Sequence, residues 1–269
     1  MPIERQIEFP LITGEQFKEV DYIVTGMAFE AHHALGRLAD EDVYKRDIFE
    51  RARAAGLVAY RETRVQISWR SFTKVFALDL VINGAVYEAK TAESIVAAHE
   101  AQTRNYLIVA GVGFGKIFNF RPASVQRCFV THFSEPGEVL SIRWIKTHFV
   151  PQSDVCRLLP DHLGELVREF GAQLTTAVYA EALCHELAPN LCNPVQVPMV
   201  RDGMAIGNQR LTLLTPEVAL RITGFGSKRK SFEPHLRRLV SHTRLKAVHW
   251  IDISRRSIEL TTILNHSAQ

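Results

Sequence analysis

Three residues with the makings of a catalytic group fall within a short stretch of this chain: Asp79, Glu88 and Lys90, in Ala77-Leu-Asp-Leu-Val-Ile-Asn-Gly-Ala-Val-Tyr-Glu-Ala-Lys90. Asn83-Gly84 between two apolar runs signals a two-residue hairpin turn, because a type I′ turn needs positive φ at both central residues. Such a loop pairs Ile82 with Ala85, Val81 with Val86, Leu80 with Tyr87 and Asp79 with Glu88. Side chains alternate between strand faces. Leu78, Leu80, Ile82, Ala85, Tyr87 and Ala89 therefore form one apolar face, and Ala77, Asp79, Val81, Val86, Glu88 and Lys90 form the other. Like charges directly opposite one another destabilise a ladder. A divalent cation would remove that repulsion, and Mg²⁺ or Mn²⁺ suits carboxylate oxygens. Lys90, on the same face, could hold a phosphate, lower the pKa of an attacking water or stabilise developing charge. The chemistry this predicts is metal-dependent phosphodiester hydrolysis. The competing reading is a solvated strand face with a Glu–Lys pair.

The flanking sequence supplies elements to hold that hairpin. Val20, Ile23, Val24, Met27, Ala31 and Leu35 recur at helical spacing, and Gly36 ends the helix. A second helix is predicted over residues 40–55. Strands follow over 57–70, 74–82 and 85–91, then a helix over 92–110 and strands over 115–120 and 126–132. The order ααβββαββ describes an α/β sandwich around a central mixed sheet.

Four blocks of this half resemble a known family. Glu41-Asp-Val-Tyr44, the Asp79…Glu88-Ala-Lys90 hairpin, His99-Glu-Ala-Gln-Thr-Arg-Asn-Tyr106 and Gly115-Lys-Ile-Phe-Asn-Phe120 are similar, in order, to the bacterial GxxExxY proteins of the PD-(D/E)XK nuclease superfamily. The resemblance covers residues 20–130. Leu38 stands where that family has a glycine. It implies a restriction-endonuclease-like fold, with Asp79 and Glu88 as metal ligands and Lys90 as the catalytic lysine. It adds Glu41 as a further acidic ligand or orienter. Gln102 and Tyr106, at i and i+4 on one helix face, would complete the site or contact a nucleic-acid backbone. Tyr44 would pack or hydrogen-bond near Glu41. His99 lies nearby, with a capping role as the simpler expectation.

The chain has 269 residues, room for two ordinary domains, and a net charge of +3, which permits nucleic-acid binding without demanding it. No apolar run approaches the ~18 residues of a membrane span, and Met1-Pro-Ile-Glu-Arg-Gln lacks the form of a signal peptide. Cys128, Cys156, Cys184 and Cys192 have no paired C-x-x-C spacing. Buried reduced thiols are expected ahead of a Cys184–His185–Cys192 metal cluster, in keeping with a cytoplasmic location.

The second half is expected to repeat the pattern of the first with the acids removed, the alternative being an unrelated α/β appendage whose elements follow a common order. Gly171 to Leu183 resembles the segment around Glu41, with Tyr179 matching Tyr44, and Val195-Gln-Val197 echoes Val65-Gln-Ile67. Gly207–Leu214 and Val218–Thr223 stand where the hairpin strands do. His235–His242 parallels His99–Tyr106, and Ala247–Ile253 parallels residues 115–120. Glu41 then corresponds to Thr176, Asp79 falls near Gln209, Lys90 near Thr223 and Gln102 opposite Arg238. Lys228, Arg229, Lys230, Arg237 and Arg238 form a basic cluster suited to phosphates, or alternatively a solvated face. Two domains are expected: residues 1–150, nuclease-like, and residues 151–269, a degenerate repeat with a basic segment. The turns around residues 134–137 and 151–154 flank a predicted strand at the joint. The function predicted is a Mg²⁺- or Mn²⁺-dependent nuclease acting on DNA ahead of RNA, by in-line attack of water on phosphorus. The alternative is a nucleic-acid-binding or regulatory protein of the same fold with little turnover. A homodimer, or a pseudo-dimeric scaffold of the two halves, is compatible with the pattern.

Overall fold

The structure, a computed structural model, describes residues 2–132, 142–191, 193–224, 226, 229–254 and 256–266. Cys192, Lys228 and the turn at residues 134–137 lie outside them. By contacts the chain divides into two compact units: Pro2–Ser68 with Thr73–Glu138, and Trp69–Phe72 with Val139–Gln269. Each unit is mixed α/β and carries one six-stranded mixed sheet. Among the described residues no helix is long and apolar enough to cross a membrane.

The first unit runs β1 (Ile3–Arg5), α1 (Gly14–Leu35), α2 (Glu41–Ala54), β2 (Ala59–Trp69), β3 (Phe72–Ile82), β4 (Ala85–Lys90), α3 (Ala97–Ala110), β5 (Phe114–Asn119) and β6 (Gln126–Thr131). Its strands lie in the order β1-β2-β3-β4-β5-β6, with β4 and β5 parallel and β3–β4 and β5–β6 antiparallel. The edge strand β1, antiparallel to β2, carries no periodic signal in its three residues. Helix α1 starts earlier than its apolar pattern. Thr13 and Gln16 form a reciprocal capping box that satisfies two orphan amides and sets the start at Gly14. Helix α3 starts later than predicted. Asn119 Oδ1 accepts from Ala92 N at 3.0 Å and its Nδ2 donates to Ala92 O at 2.8 Å, so the chain leaving β4 is tied down as a loop first.

The hairpin has the register read from the sequence, Leu80 to Tyr87, Val81 to Val86 and Ile82 to Ala85. Asn83 (φ 45°) and Gly84 (φ 84°) both have positive φ. A Cβ on Gly84 would sit 2.4 Å from the Pro10 carbonyl oxygen, so chain packing as well as turn geometry demands glycine. The apolar face packs Leu80, Ile82, Ala85, Tyr87 and Ala89 against Phe118, Phe120 and the buried sides of α1 and α2. Asp79, Glu88 and Lys90 are left on the opposite face, toward α3.

The second unit runs β7 (Arg143–His148), α4 (Asp154–Phe170), α5 (Thr176–Leu187), β8 (Val195–Arg201), β9 (Met204–Thr215), β10 (Val218–Thr223), α6 (Arg229–Ser241), β11 (Ala247–Ile253) and β12 (Ser257–Leu264). The strand predicted near the joint is β7. It pairs in parallel with β12 in the second sheet, so the boundary between the units falls ahead of residue 150. After β7 the element order matches that from α1 to β6, and the sheet reads β8-β9-β10-β11-β12 with β10 and β11 parallel.

The registers match as well. Val86, Gly115 and Val130 lie abreast in the first sheet, as Ala219, Val248 and Ile263 do in the second. Glu88, Ile117 and Cys128 have the counterparts Arg221, Trp250 and Thr261, and Lys90, Asn119 and Gln126 have Thr223, Asp252 and Glu259. One constant shift in numbering relates all nine pairs. In the helices, Tyr44 donates its hydroxyl to Gly36 O at 2.6 Å and Tyr179 donates to Gly171 O at 2.7 Å, each across eight residues. Both glycines cap the preceding helix at positive φ. The two preceding edge strands differ: β1 joins the β2 edge, whereas β7 joins the β12 edge.

Candidate functional site

Three elements place the acidic cluster. Glu41 opens α2, Asp79 comes from β3, and Glu88 and Lys90 come from β4. The regular hairpin pairing ends at Leu80–Tyr87. Beyond it Asp79 uses its own carboxylate, with Oδ2 accepting from Ala89 N at 2.9 Å, and this fixes the side chain against β4. Glu88 is 1% exposed. Its Oε1 accepts from Lys90 Nζ at 2.6 Å, while Oε2 is buried without a partner. Burial, then the neighbouring Asp79 charge, push the Glu88 carboxyl up to about 8. Burial pulls Lys90 down, but Glu88, Glu41 and Asp79 together outweigh it and Lys90 is held above its ordinary value. Glu41 Oε1 lies 3.9 Å from Lys90 Nζ. Burial, only partly offset by Lys90, raises the Glu41 carboxyl.

Two further charged residues join the cluster without having been read from the sequence. Lys45, one turn beyond Glu41, is buried, with Nζ 3.3 Å from Asp79 Oδ1 and a second bond to Glu62. Burial opposes its charge, but Glu62 and Asp79 together hold the ammonium above its ordinary value. Glu62 sits in β2 at φ 52°, a left-handed conformation that costs a non-glycine residue on the order of 1–3 kcal/mol. The i, i+4 spacing of Glu41 and Lys45 was a usable signal for the lysine. The backbone reversal that aims Glu62 has no sequence signature.

Gln102 Nε2 donates to Tyr106 Oη at 2.7 Å. Tyr106 is 7% exposed, and its hydroxyl is pushed up by burial and by the Glu88 charge, so it backs the carboxylates from α3. Direct contact of Tyr106 with a nucleic-acid backbone, one of its expected roles, falls to this burial. His99 Nδ1 accepts from Val96 N, a capping role. Tyr44 stacks on Phe120 at 4.2 Å and spends its hydroxyl on Gly36, away from Glu41.

The basic cluster of the second half is only partly available. Arg229 is buried, lying 3.9 Å over the Trp250 ring, bonding Thr261 and pairing with Glu259. It is a core cation and not a phosphate ligand. Arg237 is paired with Glu233 one turn away. Lys230 and Arg238 are exposed on α6. The observed register also adjusts the alignment of the halves. Leu220 pairs with Thr212 as Tyr87 pairs with Leu80, so Leu211, not Gln209, takes the place of Asp79, the slip arising at a bulge beside Val218. Leu236 and Val240 pack with Val248 as Thr103 and Leu107 flank Gly115, which sets His235, not Arg238, at the place of Gln102.

Among the described residues no three His, Cys, Asp or Glu side chains already form an ion cage. Mg²⁺ commonly takes only one or two protein carboxylates, with water and phosphate supplying the rest. The unpartnered Glu88 Oε2 beside Asp79 meets that requirement, so the donor set fits a hard divalent cation. Residues 18–129, from α1 into β6, match a family model described as the PD-(D/E)XK nuclease superfamily, and residues 139–269 lie outside the match. No curated protein and no solved structure matches the chain.

Proposed function

We propose that the first unit is a metal-dependent nuclease hydrolysing phosphodiester bonds, in DNA ahead of RNA. The observation that carries this reading is the Glu88 carboxylate: fully buried, one oxygen unpartnered, and facing a second carboxylate with a lysine alongside. Asp79 and Glu88 would hold Mg²⁺ or Mn²⁺, with Glu41 at the rim. When bound, the cation supplies Lewis-acid stabilisation of the phosphate and a more acidic attacking water. Lys90, held between Glu88 and Glu41, directs its remaining donors at the scissile phosphate as charge develops. Tyr106 and Gln102 hold the α3 side of the site, and the Ala89 amide and Lys45 keep Asp79 in one orientation. Attack in line on phosphorus gives a 3′-hydroxyl and a 5′-phosphate if the chain follows the habit of the superfamily.

Two narrower assignments belong to the same proposal. The ordered blocks from Glu41 to Phe120 support placement among GxxExxY-type proteins. The shared element order, the sheet registers and the paired Tyr–Gly bonds support an origin of the second unit by duplication with loss of the acids. Its role would then be nucleic-acid binding.

A second reading is favoured by one contact. Lys45 already neutralises Asp79, as suits a nucleic-acid-binding protein of nuclease fold that turns over little or not at all. Incubation with single-stranded and duplex DNA and RNA in Mn²⁺ or Mg²⁺, beside Asp79→Ala and Lys90→Ala, separates the two. Cleavage that both substitutions abolish supports the nuclease. Equal trace cleavage by all three proteins rejects it, and binding without cleavage supports the second reading.

A further inference from the structure

The second sheet carries a cavity of about 250 Å³ on the same face and at the same register as the acidic cluster of the first. Its floor is apolar, built from Leu211, Ala219, Leu236 and Val248, with the Phe232 ring on one side. Its polar groups are Arg221, His235 and Gln209. By register Arg221 stands where Glu88 stands and Leu211 where Asp79 does, while His235 takes the place of Gln102. The polarity of the site is thus inverted. A guanidinium and an apolar side chain stand where the first sheet has its two carboxylates, and an imidazole stands where it has the Gln102 amide.

Arg221 differs from Arg229 and Arg237 and, unlike exposed Lys230 and Arg238, lines the cavity. Arg229 and Arg237 are committed to acidic partners. Arg221 and His235 make no hydrogen bond or ion pair among the described residues, and both are exposed at the cavity mouth. An unpaired guanidinium beside an apolar hollow suits a ligand with an anionic part and a flat apolar part. The volume lies below the ~300–1,000 Å³ of ordinary small-molecule pockets, which favours a single base over a large cofactor.

We propose that this cavity takes one nucleotide of a single-stranded nucleic acid. The base lies on the apolar floor beside Phe232, and the phosphate is bound by Arg221 and His235, without metal and without cleavage. Arginine forks match phosphate oxygens bidentately, and base–aromatic contact is tolerant of sequence. The proposal rests on the reading of the chain's substrate as nucleic acid. It adds a second anchoring point to a protein with one hydrolytic centre.

The test uses the full chain carrying Asp79→Ala, in chelator, so that cleavage plays no part. Binding of a short fluorescent single-stranded oligonucleotide is followed by anisotropy at several salt concentrations. Arg221→Glu and His235→Ala are compared with Arg238→Glu, which makes the same charge change as Arg221→Glu on exposed α6. Arg221→Glu is expected to weaken binding roughly tenfold or more beyond Arg238→Glu, and His235→Ala to weaken it in the same direction. A mononucleotide bearing the same phosphate should compete measurably in the parent and not in Arg221→Glu. Equal loss from Arg221→Glu and Arg238→Glu would show general electrostatic attraction and overturn the cavity, as would absence of binding by the parent. Metal-dependent cleavage by the unsubstituted chain, with binding indifferent to Arg221, removes this proposal and leaves the nuclease standing. Arg221-dependent binding without any cleavage does the reverse.

Discussion

Lys45 and Asp79 form a buried ion pair beneath the carboxylate cluster: Nζ lies 3.3 Å from Oδ1, and each side chain is 10% exposed. The same ammonium bonds Glu62. A protein cation therefore already balances part of the negative charge that a metal would otherwise balance alone. Removing one partner of a buried pair leaves an uncompensated charge, typically at a cost of about 3 kcal/mol or more. Lys45→Met should lower stability in urea by about 3 kcal/mol in chelator. Added Mn²⁺ should recover much of that loss, because a divalent ion can neutralise Asp79 in its place. A Lys45→Met protein as stable as its parent in chelator would mean the pair is energetically idle.

Divalent binding should be visible without any substrate. A ligand that binds only the folded chain stabilises it by about 2.7 kcal/mol at a hundredfold excess over Kd. Mn²⁺ should therefore raise the thermal midpoint of the parent, and the rise should vanish in Asp79→Asn and in Glu88→Gln.

The two tyrosine–glycine bonds offer a matched pair of tests. Tyr44→Phe and Tyr179→Phe each leave a helix-terminal carbonyl without its donor, at 2.6 and 2.7 Å in the intact chain. Each substitution should cost about 1–2 kcal/mol, measured by chemical denaturation. A large cost in one unit and none in the other would argue against a common motif.

The second unit should lose stability in mild acid. His249 is buried in β11 with Nε2 unpartnered, and burial lowers it to about 4. The unfolded chain takes up the proton at the ordinary histidine value of 6.5 and the folded chain resists it. Between these values the unfolded state binds more protons, so stability falls as pH drops from 6.5 toward 4. Tryptophan fluorescence should report this slope, and His249→Gln should flatten it.

Much of the first unit was legible because its signals are local. Asn83-Gly84 specifies the turn, the turn specifies the register, and strand alternation then puts Asp79, Glu88 and Lys90 on one face. The shared element order of the two halves was legible for the same reason: helix and strand periods are local. Helix starts were less so, because Thr13 capping and the Asn119 clamp on Ala92 override apolar periodicity. The basic cluster illustrates the limit. The charge pattern alone cannot show that Arg229 turns inward over Trp250 while Arg238 stays in water.

The sequence by itself determined which strand pair carries the acids, which residues face them across the turn, and that the second half lacks an acidic pair. These follow from side-chain period and turn geometry, which act over a few residues. Only the tertiary structure decided that Glu88 is buried with an unpartnered oxygen, that Lys45 reaches both Asp79 and Glu62, and that by register Leu211, Arg221 and His235 stand in the second sheet where Asp79, Glu88 and Gln102 stand in the first. Those outcomes depend on how α2, β2 and α3 pack around the first sheet and α6 around the second. Burial and charge neighbourhood are properties of residues far apart in the chain, and no local pattern encodes them.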